Sequence, residues 1–368
     1  MRFLLFFGTR PEAIKMAVLI HELKARKVDF KVCVTAQHRE MLDQALDFFE
    51  ITPDYDLDLM KNHQSLNSLS SSILASVDSI LDEYKPDMVL VHGDTTTTFV
   101  TALASFQKGI RVGHVEAGLR TYDKTAPFPE ELNRQLTARI SDFHYAPTQT
   151  AKDNLLSERI PDENILVTGN TIVDSLKWCL KKIETYTSPE LAELKSFLND
   201  NKKLILVTGH RRENFNGGIN RICKALKILA GHENIQIIFP AHLNPRVIEV
   251  VKKELKDIGN IILTDPVSYP TMIWLMQRCD LIISDSGGIQ EEAPTLKKTV
   301  LVTRELSERK EGIKSGFSFL VGTNVELIVK KAQELLADPI ELNDLKNPYG
   351  DGKASLRIAE HLVGISMR

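Results

Sequence analysis

The sequence has no run of apolar residues long enough to cross a membrane, which takes about 20 in succession. Its first apolar run, Phe3–Phe7, ends at Gly8 and is too short for the core of a signal peptide, so it predicts a buried strand. Positive charge is not in excess either, since 46 Lys and Arg stand against 49 Asp and Glu. This balance indicates neither nucleic acid nor an anionic membrane as a partner.

Cysteine is also scarce. The four cysteines are widely separated in the chain: Cys33, Cys179, Cys223 and Cys279. None has the paired spacing of a zinc site or a redox motif. We therefore expect reduced, structural thiols in a protein of cytoplasmic type.

What is present is an ordinary globular composition, with 43% hydrophobic and 26% charged residues over 368 positions. Short apolar runs alternate with segments of helical period, as in buried parallel sheets, and the pattern restarts at Leu204–Val207. We therefore predict an α/β fold of two doubly wound domains, residues 1–169 and 170–352. The amphipathic helix within residues 353–368 is expected to pack back on the first domain.

The segment Asp285–Glu292 follows the apolar run Leu281–Ser284 and begins a predicted helix. Its two glycines, Gly287 and Gly288, let a backbone turn and approach a ligand closely, and the first N–H groups of a helix attract anions. The segment thus indicates a phosphate cradle. An ordinary turn after a strand is the alternative.

A short pattern occurs once in each predicted domain. Gly8–Glu12 and Gly209–Glu213 both read Gly-x-Arg-x-Glu directly after a first strand. In a parallel sheet this loop lies at the carboxyl edge, where ligands bind, so each domain would direct an arginine toward the ligand. Two unrelated surface loops with a helix-starting Glu are the alternative.

Carboxylates follow successive strands of the first domain. Asp94 is either a helix N-cap or part of a polar pocket wall, while Glu116 alternates with His114 and shares one face of an extended segment. Glu131 is explained by the helix dipole, whereas Glu130 stays open. With proton-transfer groups in one domain and the cradle in the other, the pattern is typical of an enzyme acting on a nucleotide sugar.

Seven motifs together resemble the non-hydrolysing UDP-N-acetylglucosamine 2-epimerases over nearly the whole chain. They are Gly8–Met16, Val91–Thr97, His114–Arg120, Pro129–Arg134, Thr208–Asn214, Asp285–Pro294 and Asn347–Gly352. The resemblance implies two Rossmann-like domains with a cleft between them, as in the GT-B glycosyltransferases, and a cytoplasmic homodimer. It also implies the interconversion of UDP-GlcNAc and UDP-ManNAc for surface polysaccharides, without a metal or another cofactor.

The resemblance further implies elimination of UDP to 2-acetamidoglucal followed by re-addition, with roles for particular residues. The acid–base candidates are Asp94, Glu116, Glu130 and His210, and their order is left open. Arg10, Lys15 and Arg309 would contact phosphate or sugar. Ser286, Gly287 and Gly288 would bind the diphosphate, and Glu292 would accept hydrogen bonds from the ribose.

The chain departs from the family pattern at several positions. Met272 stands where the family usually has an aromatic residue, so the resemblance does not carry over the uracil contacts, and Lys297 and Lys310 replace a usual Gly and Pro. Regulated members bind a second UDP-GlcNAc, and Gln37, Arg211 and His242 match that allosteric site, whereas Glu40 and His63 do not. A sigmoidal rate curve abolished by Gln37→Ala would support such activation.

Other functions fit parts of the same pattern. A GT-B glycosyltransferase would need an acceptor pocket, and a non-catalytic sensor would have no use for several carboxylates. A hydrolysing relative would release free sugar and UDP, and a related epimerase would act on a different UDP-N-acetylhexosamine. Product analysis separates these alternatives.

Overall fold

The computed structural model describes residues 1–36, 39–59, 64–209, 214, 217–241 and 244–367. The chain forms two compact units. The first is Met1–Lys177 together with Tyr349–Arg368, and the second is Trp178–Pro348. The chain leaves the first unit within a helix, α7, and returns to it before the last helix, α15.

The first unit contains a parallel sheet flanked by helices. Its strands are β1 (Arg2–Phe7), β2 (Asp29–Val34), β3 (Tyr55–Asp56), β4 (Met88–His92), β5 (Arg111–Val115), β6 (Phe143–Ala146) and β7 (Ile165–Val167). Its helices are α1 (Arg10–Ala25), α2 (Arg39–Phe48), α3 (Leu66–Tyr84), α4 (Thr96–Gln107), α5 (Glu130–Ile140), α6 (Gln149–Ser157), α7 (Thr171–Ile183) and α15 (Ala354–Ser366). The strand order is β3-β2-β1-β4-β5-β6-β7.

The second unit contains another parallel sheet. Its strands are β8 (Lys203–Thr208), β9 (Ile235–Pro240), β10 (Ile261–Thr264), β11 (Leu281–Ser284), β12 (Val300–Val302) and β13 (Ser318–Leu320). Its helices are α8 (Pro189–Phe197), α9 (Gly218–Ala230), α10 (Pro245–Leu255), α11 (Tyr269–Arg278), α12 (Gly287–Glu292), α13 (Lys310–Lys314) and α14 (Val325–Ala337). The strand order is β10-β9-β8-β11-β12-β13.

The central strands are apolar because helices cover the sheets on both faces. In β1, Leu4 and Leu5 are fully buried although their side chains point to opposite faces, and Ile282 and Ile283 of β11 behave in the same way. Continuous apolar runs therefore predicted these strands correctly. The α/β fold with two parallel sheets is confirmed.

In each sheet the strand order reverses beside the first strand. β1 lies between β2 and β4, and β8 lies between β9 and β11. The loops after these neighbouring strands diverge to opposite faces of the sheet, which opens a crevice at the carboxyl edge. The fold therefore directs attention to the loops after β1, β4 and β5 in the first unit, and after β8 and β11 in the second.

Two elements were not predicted from the sequence. β3 has only two residues and lies at the sheet edge, where it pairs with Cys33 and Val34 of β2. Helix α6 is short and begins at Gln149, after Thr148, whose side chain accepts a hydrogen bond from Ala151 N at 3.2 Å. Neither segment has the long apolar periodicity on which sequence predictions depend.

The last helix, α15, packs within the first unit. The backbone N–H groups of Ala354 and Ser355, in its first turn, donate to the Asp174 carboxylate at 3.2 and 2.8 Å. Further along, His361 Nδ1 lies 3.1 Å from the Tyr145 hydroxyl. Asp174 on α7 thus binds the N–H groups that a helix N-terminus leaves without an intrahelical partner.

Among the helices of the described residues, none combines the length and the hydropathy that a membrane crossing requires.

Candidate active site

Glu12 joins two loops at the carboxyl edge of the first sheet. Its carboxylate accepts hydrogen bonds from Gly8 N at 2.9 Å and Thr9 N at 2.8 Å, and from Thr95 Oγ1 at 2.7 Å. Burial raises the pKa of Glu12, although these hydrogen bonds act in the opposite direction. Glu12 therefore does more than begin helix α1, because it ties the loop after β1 to the loop after β4.

The threonine run after β4 is mostly structural. Thr95 is the N-cap of α4 and accepts from Thr98 N at 3.2 Å, so the alternative in which Asp94 caps this helix is wrong. Thr97 Oγ1 lies 2.8 Å from Thr35 Oγ1, and Thr98 Oγ1 donates to His92 O at 2.5 Å. These contacts leave Asp94 at the end of a rigid turn.

The Asp94 carboxylate is paired with an arginine from helix α5. Arg134 Nη2 lies 2.8 Å from Asp94 Oδ2, and the arginine side chain is 4% exposed while Asp94 is 30% exposed. Asn133 Nδ2 donates to Asp94 O at 2.9 Å, which fixes the backbone of the same residue. Asp94 is thus a positioned and accessible carboxylate.

Two neighbouring acids of α5 have different environments. Glu131 is fully buried and accepts from Thr121 N at 2.9 Å and Tyr122 N at 3.0 Å, so the helix dipole alone was an incomplete explanation. Glu130 Oε2 is buried, and no hydrogen bond to it is formed by the described residues. Glu131 therefore fixes a loop, whereas Glu130 keeps an oxygen that a substrate hydroxyl or water would satisfy.

Glu116 follows β5 in an unusual backbone conformation. Its φ of +64° lies in the left-handed region, which costs a non-glycine residue about 1 to 3 kcal/mol. The extended alternation that was predicted to place Glu116 beside His114 is therefore wrong, because the strand ends at Val115. Such strain is typical of functional positions.

The Glu116 carboxylate is nevertheless well bound. Lys15 Nζ forms a short ion pair with Glu116 Oε2, and Asn170 Nδ2 donates to the same oxygen at 3.0 Å. His92 Nε2 lies 4.0 Å from it. The structure thus brings Lys15 and Glu116 together, both more than nine-tenths buried, while Arg10 is partly exposed at the first residue of α1.

His114 is inside the sheet and not in the site. Its Nε2 lies 2.7 Å from Gly93 O, and burial lowers the pKa of His114 to about 3. The ring therefore stays neutral at physiological pH and orders the turn before Asp94.

In the second unit, the predicted cradle is the first turn of α12. Ser286 precedes the helix, and its N–H donates to Ser284 Oγ at 2.9 Å. Gly287 and Gly288 lie within the helix. The expectation that the two glycines form a turn before it is therefore wrong. The first N–H groups of a helix have no intrahelical partner, so those at Gly287 and Gly288 are available to an anion.

A side chain at Gly287 would press on Arg309. A Cβ at this position would lie 2.8 Å from Arg309 Cζ, whereas a Cβ at Gly288 would meet nothing closer than Ser286 Oγ at 3.8 Å. Arg309 donates through Nε to Glu291 Oε1 at 2.9 Å and through Nη1 to Glu308. The guanidinium is therefore packed flat against the start of α12, between two carboxylates.

Arg304 is also part of this cluster. It is 7% exposed and donates through Nη1 to Glu308 Oε2 at 2.8 Å. Glu292, at the end of α12, is 6% exposed and lies beside the Tyr269 hydroxyl. Burial, and then the charge of Glu292, raise the pKa of Tyr269 well above its usual value.

Asp285 lies behind the cradle. It is fully buried and accepts from Asn214 Nδ2 at 3.0 Å, and the same Asn214 nitrogen donates to Thr303 O at 3.2 Å. This contact ties the segment after β8 to the loop after β11.

Four predicted site residues, His210, Gln37, Arg211 and His242, lie outside the described residues.

Sequence reasoning missed Asn170, Arg134 and Tyr269. Arg134 was noticed only as part of a motif, and Asn170 only as a domain boundary, because nothing local marks their contacts with Asp94 and Glu116. Among the described residues, no group of three or more His, Cys, Asp or Glu side chains is arranged to hold a metal ion.

Comparison with known proteins identifies the family. The family model for UDP-N-acetylglucosamine 2-epimerase matches residues 21–363. A curated UDP-N-acetylglucosamine 2-epimerase from Salmonella typhimurium is 52% identical over 98% of each chain. A structure of UDP-GlcNAc 2-epimerase from Neisseria meningitidis bound to UDP-GlcNAc has a TM-score of 0.94 at 46% identity and covers 99% of this chain and 100% of that chain. A UDP co-structure of S. aureus MnaA has a TM-score of 0.90 at 42% identity, covering 99% and 96%. As the motifs predicted, the chain belongs to the UDP-N-acetylglucosamine 2-epimerase family.

Proposed function

We propose that the protein is an enzyme that interconverts UDP-GlcNAc and UDP-ManNAc by inverting C2 of the sugar. The names of its relatives and the UDP-GlcNAc bound to the Neisseria structure support this substrate. The observation that carries the proposal is Glu116, a carboxylate fixed by Lys15 and Asn170 at a strand end. A positioned proton-transfer group distinguishes an epimerase from a protein that only binds a nucleotide sugar.

The chemistry we propose is elimination followed by re-addition, because the C2 proton beside the acetamido group is too weakly acidic for simple removal. A carboxylate takes this proton while the C1–O bond breaks and its electron pair leaves with UDP, which gives 2-acetamidoglucal. An acid then delivers a proton to the opposite face of C2 as a UDP oxygen bonds to C1. Water is not consumed, and UDP stays bound throughout.

Each predicted residue has a place in this scheme. Asp94, Glu116 and Glu130 are the acid and base candidates, and His210 acts near the leaving phosphate or in proton transfer. Arg10 and Lys15 face phosphate or sugar.

The remaining residues bind the UDP part of the substrate. Ser286, Gly287 and Gly288 bind the diphosphate through the start of α12, with Arg309 beside them. Glu292, close to the Tyr269 hydroxyl, binds the ribose. Preorganised donors of this kind stabilise the charge that develops on the leaving diphosphate.

The test is to incubate the enzyme with UDP-GlcNAc alone and follow all products by NMR. We expect a mixture of UDP-GlcNAc and UDP-ManNAc with no stoichiometric free sugar or UDP. Free ManNAc with one equivalent of UDP would overturn the proposal in favour of a hydrolysing enzyme. Turnover only after an acceptor sugar is added would indicate a glycosyltransferase, and conversion of only a different UDP-N-acetylhexosamine would replace the substrate.

We also propose a homodimer. In the first unit, α3 packs beside α4 and α4 beside α5. These three helices carry exposed apolar side chains, namely Leu66, Leu74, Phe106, Leu132 and Leu136. Phe106→Asp is expected to shift the mass measured by light scattering from dimer to monomer. Phe197→Asp, at a similarly exposed position of α8 in the second unit, is the matched control and should leave the mass unchanged. Equal masses for both variants and the wild type would contradict this interface.

We place the enzyme in the cytoplasm, supplying a mannosamine donor for surface polysaccharides. All four cysteines are free and buried, and burial raises the pKa of the Cys223 thiol to about 12. Unreactive, unpaired thiols are typical of a reducing compartment. Fractionation of cells that express the tagged protein tests this placement.

A further inference from the structure

The two oxygens of the Glu116 carboxylate have different environments. Lys15 Nζ and Asn170 Nδ2 both bind Oε2, the second at 3.0 Å, and His92 Nε2 is 4.0 Å from the same atom. Oε1 accepts no hydrogen bond from the residues that the structure describes. Within the described residues, one oxygen is therefore fixed by the protein, and the other is left for an added proton or a substrate.

Asn170 has a defined orientation. Its Oδ1 accepts from Ile172 N at 3.0 Å. Because a backbone N–H only donates, the amide atom that faces Ile172 must be the oxygen, and the atom that faces Glu116 must be the nitrogen. The residue is 3% exposed, so water does not compete for these contacts.

The backbone around Asn170 is fixed as well. Its own N–H donates to Tyr349 O at 2.8 Å, where the chain re-enters the first unit. The preceding Gly169 has φ +90°, and a Cβ there would lie 3.4 Å from Tyr349 O. The approach at Gly350 is closer, since its Cβ would be 3.1 Å from Gly169 Cα. Both glycines have a positive φ that side chains rarely adopt, so a side chain at either position would strain the backbone that holds Asn170.

We propose that Asn170 is a positioning residue for proton transfer at C2, and that Oε1 of Glu116 is the oxygen that exchanges the proton. The inference rests on the proposed epimerase function. An ammonium group such as that of Lys15 attracts a carboxylate from many directions, whereas an amide N–H acts along its own axis. Lys15 therefore stabilises the negative charge of the Glu116 carboxylate, and the hydrogen bond from Asn170 fixes its orientation.

The decisive variant is Asn170→Asp. It keeps an oxygen that accepts from Ile172 N, so the local fold is retained, but it places a second carboxylate against Glu116 in place of the amide donor. A displacement of about 1 Å at a reacting group costs about a hundredfold in rate. We expect kcat to fall about a hundredfold, with KM for UDP-GlcNAc and Kd for UDP changed less than about threefold.

The pH profile separates positioning from a structural role. In the part of the chain that the structure describes, the charged and titratable groups facing Glu116 Oε2 are Lys15 from α1 and His92 from β4. When the introduced carboxyl becomes protonated it can again donate to Oε2, so the variant-to-wild-type ratio of kcat should rise as pH falls from 7 to 5. A ratio that is constant with pH, or a kcat within about threefold of wild type, would overturn the proposal.

Two controls complete the experiment. Asn260→Asp makes the same change in the second unit, where the amide donates to Ala230 O at 3.1 Å, and should leave kcat unchanged. Wild-type enzyme must convert UDP-GlcNAc to UDP-ManNAc under the same conditions, because an inactive wild type would refute the proposed function and not the role of Asn170. Near-ultraviolet circular dichroism of Asn170→Asp must match wild type, and if it does not, Asn170→Ser provides the second variant. For Asn170→Ser, loss of kcat with unchanged UDP affinity supports the proposal, and retained kcat overturns it.

Discussion

The ion pairs of Glu116 in the first unit and of Arg309 in the second unit are arranged differently. In the first unit Glu116 pairs with Lys15 and Asp94 with Arg134, which also lies 3.6 Å from the buried Glu131. In the second unit one cation, Arg309, lies between two buried carboxylates, Glu291 and Glu308.

The difference indicates a division of work. In Glu116 a cation and an amide both bind one carboxylate oxygen, which leaves the other oxygen for chemistry. A guanidinium shared by two carboxylates has much of its charge balanced, so it contributes rigidity more than attraction for an anion. We infer that the second unit binds diphosphate chiefly through the N–H groups of α12, whose position Arg309 maintains.

The largest effect should come from Glu116→Gln, which removes the acid while keeping its size. General acid–base groups contribute about 10²- to 10⁴-fold to rate, so kcat should fall about a thousandfold. Because UDP is assigned to the second unit, Kd for UDP measured by calorimetry should stay within about threefold. A comparable loss of UDP affinity would contradict the assignment of proton transfer to the first unit and of UDP binding to the second.

The next effect concerns acid stability of the first unit. Burial lowers the pKa of His114 from 6.5 to about 3 in the folded chain. Between these two pH values the histidine is therefore protonated in the unfolded chain but neutral in the folded chain. Stability therefore falls as pH falls, by about 2 kcal/mol for this group between pH 8 and 5. Urea unfolding at both pH values measures this effect. Between pH 8 and 5, the free energy of unfolding of His114→Gln should fall by about 2 kcal/mol less than that of wild type.

The probes distinguish the two units in this experiment. Trp274 belongs to the second unit, whereas Trp178 stands at the boundary within α7. In a Trp178→Phe background, circular dichroism should therefore change with pH before tryptophan fluorescence does. An identical pH dependence of stability for wild type and His114→Gln would show that this histidine does not limit acid stability.

An effect of similar size should come from Gly287→Ala. The added methyl must displace the Arg309 guanidinium from Glu291, since its Cβ would lie 2.8 Å from Cζ, and overpacking of this kind costs about 1 to 3 kcal/mol. Unfolding followed by tryptophan fluorescence measures the loss in the second unit. Gly288→Ala is the matched stability control, with room for a methyl and an expected change of less than about 1 kcal/mol. Equal destabilisation by both substitutions would remove the special role of Arg309.

Sequence patterns predicted the strands well because a strand buried on both faces needs a continuous apolar run, as Phe3–Phe7 and Met88–His92 show. They also placed Asp94 and Glu116 at strand ends. They did not predict that Asn170 binds Glu116, because the two residues are 54 positions apart and only the fold brings them together. The reason for Gly287 was also missed, since it depends on Arg309 and not on a turn.

The most direct test of the account is the fate of the C2 hydrogen in deuterated water. Wild-type enzyme given UDP-GlcNAc should form UDP-ManNAc with one deuterium at C2, and Glu116→Gln should slow this incorporation about a thousandfold while still binding UDP. UDP-ManNAc that keeps its original hydrogen at C2 would contradict proton exchange with the carboxylates of the first unit.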